Sequence, residues 1–169
     1  MPKNWFIVRT GHTYGNAELS ERGKKQIERI NDVLKNGLNI SSNNLAIFYT
    51  PSKRGYETAK ILGKKSEKTR IKELWTDFDK PKEFIASVSL AYSKILEIRL
   101  NMDSFVVITD NIGTSEFSKY LSRIYLKTPL EFSPLLHGET YWLNIKSEEW
   151  RRIPSNERLY HSERIMVKG

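Results

Sequence analysis

Two arginines, a threonine and an aspartate carry most of the chemistry this sequence offers. Arg9 opens the run Arg9-Thr10-Gly11-His12-Thr13-Tyr14-Gly15-Asn16, directly behind the apolar stretch Trp5 to Val8. Arg54 lies in Thr50-Pro51-Ser52-Lys53-Arg54-Gly55-Tyr56-Glu57-Thr58-Ala59, behind Leu45 to Tyr49. Asp110 follows Phe105-Val106-Val107-Ile108-Thr109. A guanidinium is a planar fork of donors that matches phosphate oxygens two at a time. Arg9 and Arg54 are therefore candidate anion-binding residues, with the Asn16 amide as a further donor. By residue type alone each has an ordinary alternative. The arginines can pair surface carboxylates, Asn16 can serve a turn after Gly15, and Asp110 can start a helix in Asp110-Asn111-Ile112-Gly113. A threonine hydroxyl is a weak nucleophile unless a base takes its proton. Asp110 could in principle supply that base for Thr10; otherwise Thr10 hydrogen-bonds a bound anion or water.

Three segments in order carry a family resemblance. Arg9 to Asn16 resembles the R-H-G-E-T-x-x-N phosphate loop of the histidine phosphatase (phosphoglycerate mutase-like) superfamily, with Arg9, Gly11, Thr13 and Asn16 in register. Leu19-Ser20-Glu21-Arg22-Gly23-Lys24-Lys25-Gln26 resembles that family's L-[ST]-x-x-G-x-x-Q helix start. Ile47 to Ala59 resembles its strand followed by [ST]-P-x-x-R-x-x-x-T-A. Weaker likenesses follow at Arg70-Ile71-Lys72-Glu73-Leu74, the stretch of the family's acid, and at Phe105 to Asn111, the strand ending in its second histidine.

The resemblance implies roles for single residues. Arg9, Arg54 and Asn16 match the groups that grip the phosphoryl, and Glu73 matches the general acid. Thr10 stands where the family has its nucleophilic histidine, whose imidazole is neutral with a free lone pair near pH 7. Asp110 stands where the second histidine would be. A carboxylate there repels a phosphate and attracts Arg9 or Arg54; two unit charges at about 4 Å interact by about 4 kcal/mol at an effective dielectric near 20. Two arginines against Asp110 and Glu73 bring the formal charge to zero, so the pocket is expected to neutralise itself and hold phosphate weakly. His12 replaces the family's glutamate or glutamine, and a relocated nucleophile is one alternative. His137-Gly138-Glu139-Thr140 spells H-G-E-T, but no arginine and no apolar strand precede it, so it is set aside. Only Ala17 and Glu18 separate Asn16 from Leu19, which implies an open rim with little to close over a substrate.

The expected function is that of a non-catalytic member with a weakened phosphate or phosphorylated-small-molecule pocket at Arg9, Asn16 and Arg54. One rival is an active phosphomonoesterase or mutase with a rearranged site. The other is an interaction protein whose pocket is closed by an arginine–aspartate pair.

Strands and helices alternate, which predicts a three-layer α/β fold with a mostly parallel central sheet flanked by helices. Trp5 to Val8, Leu45 to Tyr49 and Ser104 to Thr109 read as buried strands, and Thr140 to Ile145 as a weaker fourth. Ser20 can cap a helix to about Asn36, with Ile27, Ile30 and Leu34 on one face and Gly37 as its stop. Pro51 suits the first turn of a helix ending by Gly63. Pro81 to Leu100 carries the cleanest apolar stripe, Phe84, Val88, Ala91, Ile95 and Ile98. A further helix follows Asp110, with Phe117, Tyr120, Leu121, Ile124 and Tyr125 on its predicted face. Beyond Ser147 the pattern is charged and aperiodic. The loops at 9–16 and 109–114 both follow strands, and in such sheets ligands bind at the carboxyl ends of strands.

At 169 residues the chain reads as one domain, 1–169, large enough to bury a sizeable core. It has no cysteine, hence no disulfide framework or thiol chemistry. The three histidines lack ligand-like spacing, so no metal or other cofactor is expected. No apolar run reaches the length of a membrane span, and the first strand begins too early for a signal peptide; a cytoplasmic protein is expected. Net charge is +8, and the excess is partly local: Lys60, Lys64, Lys65, Lys68, Arg70 and Lys72 lie close together against only Glu67. That run favours anions at long range but lacks every motif of specific nucleic-acid binding.

Overall fold

The computed structural model describes residues 2–15, 18–41, 44–63, 70–73, 84–97, 101–126, 130–155 and 163–164. Strand β1 (Asn4–Arg9) leads through a short hairpin, β2 (Thr13–Tyr14) and β3 (Glu18–Leu19), into helix α1 (Glu21–Asp32). Then come β4 (Leu45–Tyr49), α2 (Lys53–Gly63), β5 (Arg70–Glu73), α3 (Phe84–Glu97), β6 (Ser104–Thr109) and α4 (Asn111–Tyr125). Three further strands follow, β7 (Thr140–Asn144), β8 (Glu149–Ile153) and β9 (Glu163–Arg164). The main sheet runs β5-β4-β6-β1-β7-β8-β9. The first four strands are parallel, and β7, β8 and β9 extend that block antiparallel along one edge.

Alternation along the central strands sends side chains to two cores, as period-two pleating requires. Trp5, Ile7, Phe48, Phe105 and Val107 join α3 and α4 residues Val88, Ile95, Phe117 and Leu121 on one face. Phe6, Val8, Ile47, Val106 and Ile108 join α1 and α2 residues Ile27, Ile30, Ala59 and Leu62 on the other. Strands buried on both faces carry near-continuous apolar runs, which is why β1, β4 and β6 are legible as such. The result is helix, sheet, helix in three layers, as expected.

Local signals set the helix ends. Ser20 caps α1 by accepting the Gly23 N–H at 3.0 Å, and the helix runs on as a π-helical turn over Val33–Gly37. Val88, Ala91 and Ile95 of α3 are buried as the stripe predicts; the flanking positions 81–83 and 98–100 lie outside the described residues. Among the described residues no helix is long and apolar enough to cross a membrane.

Two expectations need correction. Helix α4 departs from its predicted face at one position: Ile124 is 37% exposed, whereas Phe117 and Leu121 are buried, Tyr120 and Tyr125 pack partly buried against the core, and Thr114, Ser118 and Ser122 are buried beside them. Short hydroxyls tolerate burial by bonding their own helix's carbonyls, as Thr114 does to Asn111 and Ser122 to Lys119. The segment after Ser147 is not aperiodic coil, because β8 pairs with β7 throughout and buries Trp150 and Ile153.

Candidate active site

Topology assembles the site. The helices after β1 and β4 pack on one face of the sheet and the helix after β6 on the other. Strand β6 lies between β1 and β4, so the chain leaves neighbouring strands in opposite directions. A crevice opens at their carboxyl ends, the position where open α/β sheets bind ligands. Arg9 and Thr10, Arg54, and Asp110 arrive there from those three strands. They line one pocket of about 330 Å³ with Thr13, Asn111, Ile112 and His137.

Backbone contacts fix the frame. The Thr10 N–H donates to the Thr109 carbonyl at 3.2 Å, tying the first loop to the end of β6. The Arg9 N–H donates to the Glu139 carbonyl, and the Gly138 N–H donates to the carbonyls of both Arg9 and Thr10 at 3.1 Å. Gly11 and Gly23 pack backbone against backbone. A Cβ on Gly23 would stand 2.1 Å from the His12 carbonyl oxygen, and one on Gly11 2.7 Å from that of Gly23. This contact is a physical reason for both glycines in the two motifs: the loop lies directly on the first turn of α1.

Asp110 is the hinge of the electrostatics. It occupies the N-cap position of α4, yet its carboxylate caps no backbone N–H. One oxygen accepts the Thr10 hydroxyl at 3.4 Å, and the other is ion-paired with Arg54. Thr10 is 3% exposed, and the Arg54 and Asp110 side chains are each less than one-third exposed. The Arg54 Nε is buried without a hydrogen-bond partner. Arg9 donates through Nη1 to the Leu135 carbonyl. Burial lowers the Arg9 pKa, Asp110 pulls it back up, Arg54 lowers it again and Glu139 raises it; the guanidinium stays charged regardless.

Of the residues expected at the site, Arg9, Thr10, Arg54 and Asp110 converge. Asn16 lies outside the described residues. Glu73 ends β5 with its backbone paired to Tyr49 of β4, so it stands on the same rim; its side chain is outside what is described. His12 does not line this pocket. Its Nδ1 lies 2.7 Å from the Ser20 hydroxyl, and its ring packs edge-on against His137.

His137, set aside on sequence, lines the same pocket. It lies in the turn before β7, which pairs antiparallel with β1 and so returns the chain beside Arg9 and Thr10. Its Nδ1 is buried without a partner. Its pKa is lowered by burial first and then by Arg9, with the Thr10 backbone opposing and His12 and Arg22 adding to the fall. The available signal was the placement of an imidazole just before a strand rather than any motif. Among the described residues no group of three histidine or acidic side chains could hold a metal.

Comparison with solved structures identifies the architecture. Similar folds include the protein histidine phosphatase SixA complexed with tungstate, at TM-score 0.59 and 15% identity over 95% of this chain and 96% of that one. They also include a mycobacterial glucosyl-3-phosphoglycerate phosphatase complexed with inorganic phosphate, at TM-score 0.58 and 16% identity over 89% and 95%. Bacillus stearothermophilus YhfR aligns at TM-score 0.56 and 14% identity over 98% and 96%. No protein-family model and no curated protein matches the sequence. The chain has the phosphoglycerate mutase-like α/β fold of the histidine phosphatases.

Proposed function

We propose that this chain is a non-catalytic histidine phosphatase homologue, one domain over residues 1–169, whose pocket binds phosphate or a phosphorylated small molecule weakly. The observation that carries the reading is the Asp110 carboxylate held between Thr10 and Arg54. It bears on both halves of the claim. For catalysis, position 10 offers a hydroxyl, and the nearest candidate base is already engaged by a guanidinium, which leaves Thr10 unactivated. For binding, a phosphate must share Arg54 with a fixed negative charge.

The pocket keeps donors suited to an anion. Arg9 and Arg54 line the same pocket; the Arg54 Nε–H is buried without a partner, and Arg9 has one Nη on the Leu135 carbonyl. Two cations and one carboxylate line the pocket, with Asn111 and His137 as further polar groups. The solved proteins of this fold that hold tungstate or inorganic phosphate support phosphate as the ligand class.

The test has two arms. Turnover of p-nitrophenyl phosphate should be negligible and indifferent to Thr10→Ala; robust turnover lost in that variant would overturn the non-catalytic reading. Sulfate or phosphate affinity should rise by about one to two orders of magnitude in Asp110→Asn, as expected when a few kcal/mol of repulsion is relieved. If neither form binds either anion while Asp110→Asn lowers stability, the arginine–aspartate pair closes the pocket and the interaction-protein reading replaces this one.

A further inference from the structure

A second concavity of about 790 Å³ adjoins the pocket, sharing Arg9 and His137 as a common wall. Its far side is α1. Arg22, Lys25 and Arg29 stand there at spacings of three and four, which places them on one helical face. Gln26 and His12 line the same groove. Arg22 and Lys25 are exposed and have no carboxylate partner among the described residues, whereas Lys24, off this row, pairs with Glu21. Arg29 donates to the Ser155 carbonyl.

A basic helix face is ordinarily a solvated surface. Three observations separate this one. The groove has a volume within the range of small-molecule sites. Its lining holds one carboxylate, Glu139, which is 5% exposed and already committed: Oε1 takes Arg152 at 2.5 Å and the Leu136 N–H at 2.6 Å. The floor is rigid. Ser155 donates its hydroxyl to the His137 carbonyl at 2.6 Å, and Gly138 donates to Arg9 and Thr10. Gly138, at φ +75°, would place any Cβ 2.9 Å from that of Gln26. His137 is thereby clamped on both sides, and it lines both pocket and groove.

We propose that this groove is a second anion site, one that takes a small molecule bearing several phosphate groups and no aromatic base. Several cations spread along a groove match several phosphates rather than one. Apart from the two imidazoles, which pack edge-on against each other, the lining has no aromatic ring, so it offers no phenyl, phenol or indole platform for a nucleobase. The assignment does not rest on the reading of the Asp110 pocket, because Arg22, Lys25 and Arg29 come from α1 and do not line that pocket.

Sodium tripolyphosphate is the probe, titrated calorimetrically at roughly 0.15 M salt, where charges farther apart than about 8 Å are screened. Wild-type protein should bind it. The exposed pair Arg22→Ala/Lys25→Ala should lose roughly tenfold or more in affinity with an unchanged melting temperature. ATP should bind no more tightly than tripolyphosphate. Absence of wild-type binding, equal affinity in the double variant, or a clear preference for ATP would each overturn the assignment. The sulfate response to Asp110→Asn reports on the neighbouring pocket separately, so failure of one reading leaves the other measurable.

Discussion

Asp110 and Arg54 stabilise each other, and the sign of each substitution follows from that. Asp110→Asn removes the negative charge at nearly constant size and leaves Arg54 without its counter-charge. Loss of one partner from a buried pair costs about 3–5 kcal/mol. This pair is partly exposed, so a smaller loss is expected, about 1–2 kcal/mol after solvent screening. In a chain of this length each kcal/mol moves the melting temperature by roughly 2–4 °C. Added sulfate should restore more stability to the variant than to the wild type, because a ligand stabilises in proportion to its occupancy. Thermal melts with and without sulfate check both parts; a variant indifferent to sulfate and as stable as the wild type would reduce Asp110 to a turn residue. His137 adds a pH signature. Burial and neighbouring cations depress its pKa, so the ring is neutral at pH 7 in the free protein. A bound anion favours the protonated ring and raises that pKa, so binding takes up a proton. Sulfate keeps its charge over this range, and its affinity should therefore increase as pH falls below 7. The groups facing His137 are Arg9, His12 and Arg22, with the Thr10 backbone. His137→Asn should flatten the profile, and a slope that survives the substitution assigns it elsewhere. Motif register was enough to single out Arg9, Thr10, Arg54 and Asp110, which line one pocket. It could not find His137, which reaches the site through the antiparallel pairing of β7 with β1 rather than through its sequence neighbours.

Glycine spacing makes the first loop and α1 one object. Gly23 sits in a helix, where alanine is ordinarily better by about 0.8–1.0 kcal/mol. Against that gain stands a Cβ placed 2.1 Å from the His12 carbonyl oxygen and 2.9 Å from the His12 nitrogen. Those are backbone atoms and cannot turn aside, and overpacking of this kind costs about 1–3 kcal/mol or more. Gly23→Ala should therefore destabilise the protein despite its better helix propensity, lowering the melting temperature by roughly 2–8 °C and weakening anion binding as the loop shifts Arg9 and Thr10. A rise in melting temperature would show that the loop yields and that the contact does not hold the site. The same logic shows why some elements could be read in advance and others could not. Strands β1, β4 and β6 are apolar on both faces because both faces are covered. Strand β8 lies toward the edge, and each of its faces carries one apolar residue and one cation. Trp150 and Arg152 point one way, Arg151 and Ile153 the other, so neither alternation nor a continuous run is visible. Helix α4 departs at one position: Ile124 is exposed, while Ser118 and Ser122 are buried beside the predicted Phe117 and Leu121, because short hydroxyl side chains offer no apolar signal to read.

The chain as a whole carries eight more cationic than anionic side chains, 28 against 20, and their distribution decides what that excess can do. Alternation of elements and three ordered motifs made the layered α/β class legible, but the insertion of β6 between β4 and β1 was not, because strand order depends on long-range pairing that local pattern does not encode. That insertion matters for charge, since it gathers Arg9 and Arg54 at one crevice while α1 brings Arg22, Lys25 and Arg29 alongside. The basic run from Lys60 to Lys72 is a separate matter. Lys60 is exposed above the Tyr56 ring at 5.6 Å, and residues 64–69 lie outside those described. A run of lysines attracts any polyanion through the field of the whole protein, yet sequence readout needs base-edge contacts or ordered stacking surfaces. Nucleic acid should consequently bind weakly and without sequence preference, and log affinity should fall linearly with log salt as counterions are released. Fluorescence anisotropy with unrelated oligonucleotides across a salt series measures both properties. The same affinity for every sequence, lost by roughly 0.2 M salt, is the expected result. Tripolyphosphate held in the α1 groove should compete poorly with that diffuse binding, because the two draw on different cations. Sequence-selective binding that survives at physiological salt would instead make a nucleic acid the chain's partner and the basic run its reading surface.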